Sequence, residues 1–402
     1  MIDRILYIVF FAYLTLYPLI PKTLMNYKVG DMLLILFMLV FFVKSIHNKK
    51  EREIFVKRIK DLFVDPIVIT MLLSIIIMVI SSIYAANKPD CFWEAFRFFS
   101  YIIVYIAIKY EFGLKKYFSK YYLMLGLQSF IVYIYGIIQY FTKIGVTVET
   151  NGVYRMESTI GYPTALAAYT IVMIIPTIMF FVKTDHKKLK RLTAINILLG
   201  LINLVISWSR NGWLALVVGL FVLAIIYNIK FLYAIIAGGV LGVIVPFIRE
   251  RLIQLTSSAI NGGRIKLWKI ALKMIKEHPI LGIGQGNYVH RVDEYFAKYP
   301  ELYEPGHEGF PTHNSYLKEW CEIGTIGVIV FFSTYVIMFN KLINANKKHK
   351  DQFLGLTTGV IAMFVAFMFI NLFDNMMFTP KVMLMFIVCV SLCITIDRKD
   401  IR

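Results

Sequence analysis

Twelve runs of apolar residues, separated by polar connections, constrain this chain more than any other feature of its sequence. A helix needs roughly 20 apolar residues to cross about 30 Å of hydrocarbon, and thinning or snorkelling accommodates shorter runs. The runs cover residues 5–20, 31–46, 66–84, 92–108, 121–141, 162–182, 192–207, 212–229, 231–248, 321–339, 353–372 and 382–396. With 58% hydrophobic and 17% charged residues, the composition is too apolar for a water-soluble domain. The expected fold is an all-α polytopic membrane protein of about 12 transmembrane helices, with the lipid bilayer as its main solvent.

The net charge of +18 does not point to nucleic acid, because the basic residues form short clusters between apolar runs and no continuous basic face. They report orientation instead, since Lys and Arg in short loops resist translocation. With the amino terminus inside, the inner segments hold Arg4, the cluster from Lys49 to Lys60, Lys115, Lys116 and Lys120, the cluster from Lys183 to Arg191, Lys341 to Lys350, and Arg398, Lys399 and Arg402. The short outer loops hold only Lys22, Lys28, Lys88, Lys143, Arg155, Arg210 and Lys381. Both termini are therefore expected in the cytoplasm of a multi-pass protein of the cytoplasmic (inner) membrane. The first run lacks a small-residue cleavage site and is read as a retained span. Four cysteines, Cys91, Cys321, Cys389 and Cys393, have no histidine partner at metal-ligand spacing and are read as packing residues.

Residues 249–320 break the short-loop pattern: they are polar, rich in Gly, Pro and charge, and fall outside. The expected organisation is residues 1–248 as spans one to nine, 249–320 as one long extracytoplasmic loop with an amphipathic helix, and 321–402 as spans ten to twelve. Within that loop, Leu267, Trp268, Ala271, Leu272 and Ile275 oppose Lys266, Lys269, Lys273 and Lys276 at helical spacing. This predicts an interfacial amphipathic helix, started by Asn261, Gly262 and Gly263 and stopped by Pro279. Arg264 would stand at its beginning, where unsatisfied N–H groups favour an anion; simple solvation is the alternative.

The stretch Gly282-Ile283-Gly284-Gln285-Gly286-Asn287-Tyr288 permits a tight turn and close backbone approach, with a structural turn as the default. At the loop's end, Pro311-Thr312-His313-Asn314-Ser315-Tyr316-Leu317 is expected to place Thr312 as an N-cap and His313 in the first turn of the tenth span. A helix amino terminus opposes an imidazolium and so favours the proton-accepting form. Arg210, in Ser207-Trp208-Ser209-Arg210-Asn211-Gly212-Trp213, is either a snorkelling anchor or a phosphate ligand, since a guanidinium matches phosphate oxygens bidentately. Arg97 lies one turn after Glu94 and is read as half of an internal ion pair. Charge counting assigns Arg155, Arg210, Arg264 and His313 to one membrane face, as a cavity for an anion would require. Arg155, Gln285, Asn287, Asn314 and Tyr316 complete the candidate substrate contacts. His307 and Glu308 are read as a solvated face, and no residue cluster in the outer loops recommends a metal or another cofactor.

At these residues the chain resembles the O-antigen ligase and polymerase family of bacterial envelope glycosyltransferases. The resemblance rests on motif order: Tyr154-Arg155 through Tyr162-Pro163-Thr164-Ala165-Leu166-Ala167, Ser209-Arg210-Asn211-Gly212-Trp213, Arg264 with Trp268, Gly282 to Asn287, and His313-Asn314-Ser315-Tyr316-Leu317 with Glu322-Ile323-Gly324. It implies transfer of a glycan from an undecaprenyl diphosphate carrier to an acceptor sugar hydroxyl at the outer face of the membrane. The acceptor would be a second lipid-linked glycan for a polymerase, or lipid A-core or a protein for a ligase. By the same resemblance Arg210 and Arg264 match arginines that bind the donor diphosphate, and His313 matches the essential loop histidine. The expected mechanism is metal-independent and inverting. A lipid-linked oligosaccharide transporter without catalysis is the alternative, although no internal repeat supports it.

Overall fold

The computed structural model describes residues 2–20, 29–148, 152–253, 258–348 and 352–396. Among these the order is α1 (Ile2–Leu19), α2 (Val29–Ile46), α3 (Lys49–Leu62), α4 (Pro66–Ile80), α5 (Lys88–Tyr110), α6 (Leu114–Thr142), strands β1 (Thr147–Val148) and β2 (Tyr154–Arg155), α7 (Pro163–Lys183), α8 (Lys187–Ile206), α9 (Arg210–Ile226), α10 (Phe231–Ile244), α11 (Pro246–Ile253), α12 (Ser258–Glu277), α13 (Tyr288–Lys298), α14 (Ser315–Lys348), α15 (Gln352–Ile370) and α16 (Pro380–Ile394). Each apolar run lies on a helix. Among the described residues nine helices are long and apolar enough to cross a membrane, and α9, α10 and α16 are shorter apolar helices. The chain is thus an all-α polytopic membrane protein. Lys22, Lys28, Lys350, Arg398, Lys399 and Arg402, counted above for orientation, lie outside the described residues.

Local chemistry sets the helix starts. Asp65 caps α4 by accepting from the Ile67 N–H, with Pro66 as the first helical residue, and Pro163 and Pro380 open α7 and α16 in the same position. The centre of the bundle is α7, α15 and α16, which are buried on nearly every side. Close approach there depends on small residues: a Cβ on Gly219 of α9 would lie 2.4 Å from Ile175 Cδ1 of α7.

One end of the bundle is tied by charge. Asp65 is held by Lys341 at 2.8 Å, by Lys109 and by the Tyr105 hydroxyl, while Glu111 binds Lys44 and Arg58 at 2.5 Å each. These bonds join α2, α3, α4, α5 and α14. The basic stretch read as a connection between the second and third spans forms the helix α3, which buries no side chain.

The opposite end carries a cap built from α12, α13 and the 3-10 turn Pro300–Leu302. Leu267, Ile270, Ala271, Met274 and Ile275 of α12 pack against Ile283, Tyr288, Val292, Tyr295, Phe296, Leu302 and Cys321. This corrects the expectation of an interfacial helix: its apolar face meets protein, because α13 supplies a complementary face of Tyr288, Val292, Tyr295 and Phe296. The helix also starts earlier than expected, at Ser258, so Arg264 stands more than a turn inside it and not at its amino terminus.

The cap is fastened to the membrane helices through main chain. α14 is interrupted at Gly324, whose φ of 66° and ψ of −174° lie in a region essentially confined to glycine. The carbonyls and N–H groups freed there bond to the glycine-rich turn: Ile283 N–H to Cys321 O and Gly284 N–H to Glu322 O at 2.9 Å each, and Thr325 N–H to Pro279 O at 2.9 Å. A Cβ on Gly324 would lie 2.1 Å from the Ile280 carbonyl oxygen. Gly324→Ala is therefore expected to destabilise the fold by more than the roughly 1–3 kcal/mol of backbone strain alone, read as a lowered unfolding temperature in detergent. An unchanged melting curve would show that this joint is dispensable.

Candidate functional site

Four connections meet where the cap touches the bundle, and Asp374, in the turn between α15 and α16, lies among them. Its side chain is 3% exposed. Oδ1 lies 3.1 Å from His313 Nδ1, and Oδ2 accepts from the Asn211 amide at 2.9 Å and faces Arg264 Nη2 at 3.9 Å. Three stretches far apart in sequence, the starts of α9 and α14 and the middle of α12, thus converge on one buried carboxylate. A buried carboxylate without such partners would cost several kcal/mol.

Each partner is held from behind. His313 precedes α14 with a left-handed φ of 51°, and Asn314 caps the helix by accepting from Leu317 N–H at 2.9 Å. This corrects the reading of Thr312 as cap and His313 as a first-turn residue. Asn314 donates to Leu372 O at 3.0 Å, Ser315 Oγ bonds Asn371 Oδ1 at 2.6 Å, and Tyr316 donates to Met368 O at 2.9 Å. The histidine's own helix is therefore stitched to the segment that carries Asp374. Trp268, one turn after Arg264, lies 6.4 Å from the Phe373 ring, beside Asp374.

Arg210 is the first residue of α9, capped by Ser209 and directly preceding Asn211. Arg155, on the short hairpin of β1 and β2, donates through Nε to the Ser207 carbonyl at 3.0 Å. The three arginines and the histidine singled out in the sequence thus occupy one end of the bundle. Gln285 and Asn287 do not join them: both are fully buried, Gln285 donating to Glu319 and Glu322, and Asn287 bonding to Asn87. Glu322 also accepts from Gly286 N–H at 2.8 Å and Lys318 Nζ at 2.5 Å, so the glycine turn approaches protein. Arg97 pairs with Glu94 at 3.0 Å as expected, and the four cysteines are free and buried.

Sequence reasoning missed Asp374 and misread His307. The His307 ring is seated against α12, where a Cβ on Gly263 would lie 2.6 Å from its Cε1. Phe310 lies 5.0 Å from His307 and 6.0 Å from His313, so a row of three rings connects the strap after α13 to the site. Gly263, which looked like a helix start, leaves room for this ring. Among the described residues no group of three His, Cys, Asp or Glu side chains could hold a metal ion.

The fold and site define a polytopic membrane protein in which arginines and a histidine gather around a buried carboxylate under a cap at one end of its helices. Residues 195–332 match the model of the O-antigen ligase family. Arg210, Arg264 and His313 fall inside the matched stretch; Arg155 and Asp374 fall outside it. A relative from Haemophilus influenzae, described as an uncharacterized protein, is 27% identical over 209 residues, covering 45% of this chain and 50% of its own. The chain therefore spans about half the length of that curated relative.

Proposed function

We propose that the chain is a glycosyltransferase of the bacterial cytoplasmic membrane that moves a glycan from an undecaprenyl diphosphate carrier to an acceptor sugar hydroxyl on the non-cytoplasmic side. The observation that carries this reading is the convergence of His313, Arg264 and the start of α9 on Asp374. Nδ1–H of His313 donates to Asp374, which fixes the tautomer and leaves the Nε2 lone pair to take a proton. The acceptor oxygen attacks the anomeric carbon, its proton passes to Nε2, and the bond from that carbon to the diphosphate oxygen breaks. Undecaprenyl diphosphate leaves with the bonding electrons, and single displacement inverts the anomeric configuration.

Arg264 and Arg210 would stabilise the charge that grows on the leaving oxygens, most effectively in a poorly hydrated pocket. At 3.9 Å, Arg264 sits at the outer limit of an ion pair with Asp374, so an arriving diphosphate can recruit the guanidinium without breaking a tight bond. Arg155, Asn314 and Tyr316 serve as supports of this pocket. The chemistry asks for no metal or other cofactor.

Purified protein in liposomes, given lipid-linked oligosaccharide on the face that carries the cap, is expected to release undecaprenyl diphosphate and lengthen the acceptor glycan. Supplying a second lipid-linked glycan or lipid A-core as acceptor separates polymerase from ligase. Donor that crosses the bilayer intact, with no diphosphate released, would identify a transporter and end the proposal.

A further inference from the structure

The half of the bundle remote from Asp374 contains a cavity of about 350 Å³ between α6, α7, α8, α15 and α16. Its walls are almost wholly apolar, with Phe118, Phe180, Leu192, Val360 and Leu392 among them, and it is open on one side. It lies at this end because Phe118 and Leu192 are near the starts of α6 and α8, whereas the candidate site adjoins the end of α8. The helix ends next to the lining residues Leu114, Phe118 and Leu192 are cationic: Lys115, Lys116 and Lys120 on α6, and Lys187, Lys188 and Arg191 on α8, with Asp185 the one carboxylate between Lys183 and Arg191. All six of these cations are exposed.

We propose that this cavity is a binding site for an anionic phospholipid, one acyl chain lying in the apolar cleft and the phosphate resting on the cationic rim. Two physical terms support the assignment independently. Apolar walls gain from an apolar occupant, and a basic rim beside interhelical clefts selects anionic headgroups at about 1 kcal/mol per Lys or Arg near the surface. The glycan donor does not fit here, since a carrier whose tail entered from this rim would hold its diphosphate at the far end of the bundle from Arg264 and His313. The occupant is therefore a resident lipid of the leaflet opposite the candidate site.

Gly126 lines the cavity, and a Cβ placed on it meets nothing within 4 Å, so Gly126→Phe would fill the cleft without a backbone clash. The full chain, reconstituted in vesicles of equal phosphatidylglycerol and phosphatidylcholine, is examined by native mass spectrometry of retained lipid and by photocrosslinking with an acyl-chain probe. Wild type is expected to retain phosphatidylglycerol over phosphatidylcholine by on the order of tenfold or more. Gly126→Phe is expected to lose crosslinks to α6 and α8, with Gly126→Ala as the retained control. The triple variant Lys187→Glu, Lys188→Glu and Arg191→Glu, at three exposed positions, is expected to abolish the headgroup preference while keeping the acyl-chain crosslinks. Equal retention of the two lipids by wild type, crosslinks unaffected by Gly126→Phe, or a polyprenyl lipid as the retained species would each overturn the proposal. None of these readouts depends on glycan transfer.

Discussion

Asp374→Ala is expected to reduce the rate of undecaprenyl diphosphate release as severely as His313→Ala does, by about 10²–10⁴-fold, and the double variant is expected to be no worse than either single one. The reason is geometric. Asp374 bonds His313 Nδ1 at 3.1 Å and is itself buried. Without it the imidazole loses its fixed tautomer, and Asn211 and Arg264 lose the group they face. Asp374→Asn keeps the volume but presents an amide where a carboxylate accepted, so it is expected to fall nearly as far. Expression and thermal unfolding provide the folding control, and single-turnover rates provide the test. Losses that add in the double variant would mean that the two residues act separately, and the dyad would have to be abandoned.

Arg264→Ala is expected to lower the turnover rate by about 10²–10³-fold, comparable to the loss of one oxyanion donor in other enzymes, and Arg264→Lys to recover only part of it. A lysine restores the charge but not the two-pronged geometry that suits a diphosphate. The effect should fall mainly on the turnover rate and less on the concentration of donor needed for half-saturation, since the guanidinium is asked to meet charge that develops as the bond breaks. Arg210→Ala is expected to behave alike. If Arg264→Ala left turnover intact and weakened donor binding alone, the arginine would be a docking residue, and transition-state stabilisation would have to come from elsewhere.

The helices were legible in the sequence because hydrocarbon thickness dictates the length of each run, and no tertiary information is needed to see it. The meeting of Arg155, Arg210, Arg264 and His313 at one end was legible for a similar reason, since charge asymmetry assigns each connection to a face. What could not be read was the partner that joins them. Asp374 stands 61 positions from His313, the one carboxylate between two apolar runs, and no local pattern links them. The available signal was energetic: a carboxylate at the edge of hydrocarbon needs a partner.

The position of Arg264 was misread for a different reason. Paired glycines resemble a helix start, but here the helix runs through them and Gly263 makes room for the His307 ring, which lies over 40 residues away. Likewise α12 was assigned to the bilayer surface because its own face is amphipathic. Its partner α13 is only 11 residues long and rich in Tyr and charge, too short and polar to register as a helix that buries anything.

The joint between Gly324 and the turn at Pro279 to Gly284 has an evolutionary corollary. Its bonds run from peptide to peptide, so the anchorage of the cap is largely indifferent to which side chains the strap beyond α13 displays. The exposed positions of the strap can therefore drift without loosening the cap, whereas His307 and Phe310, packed against α12 and His313, are tied to the site.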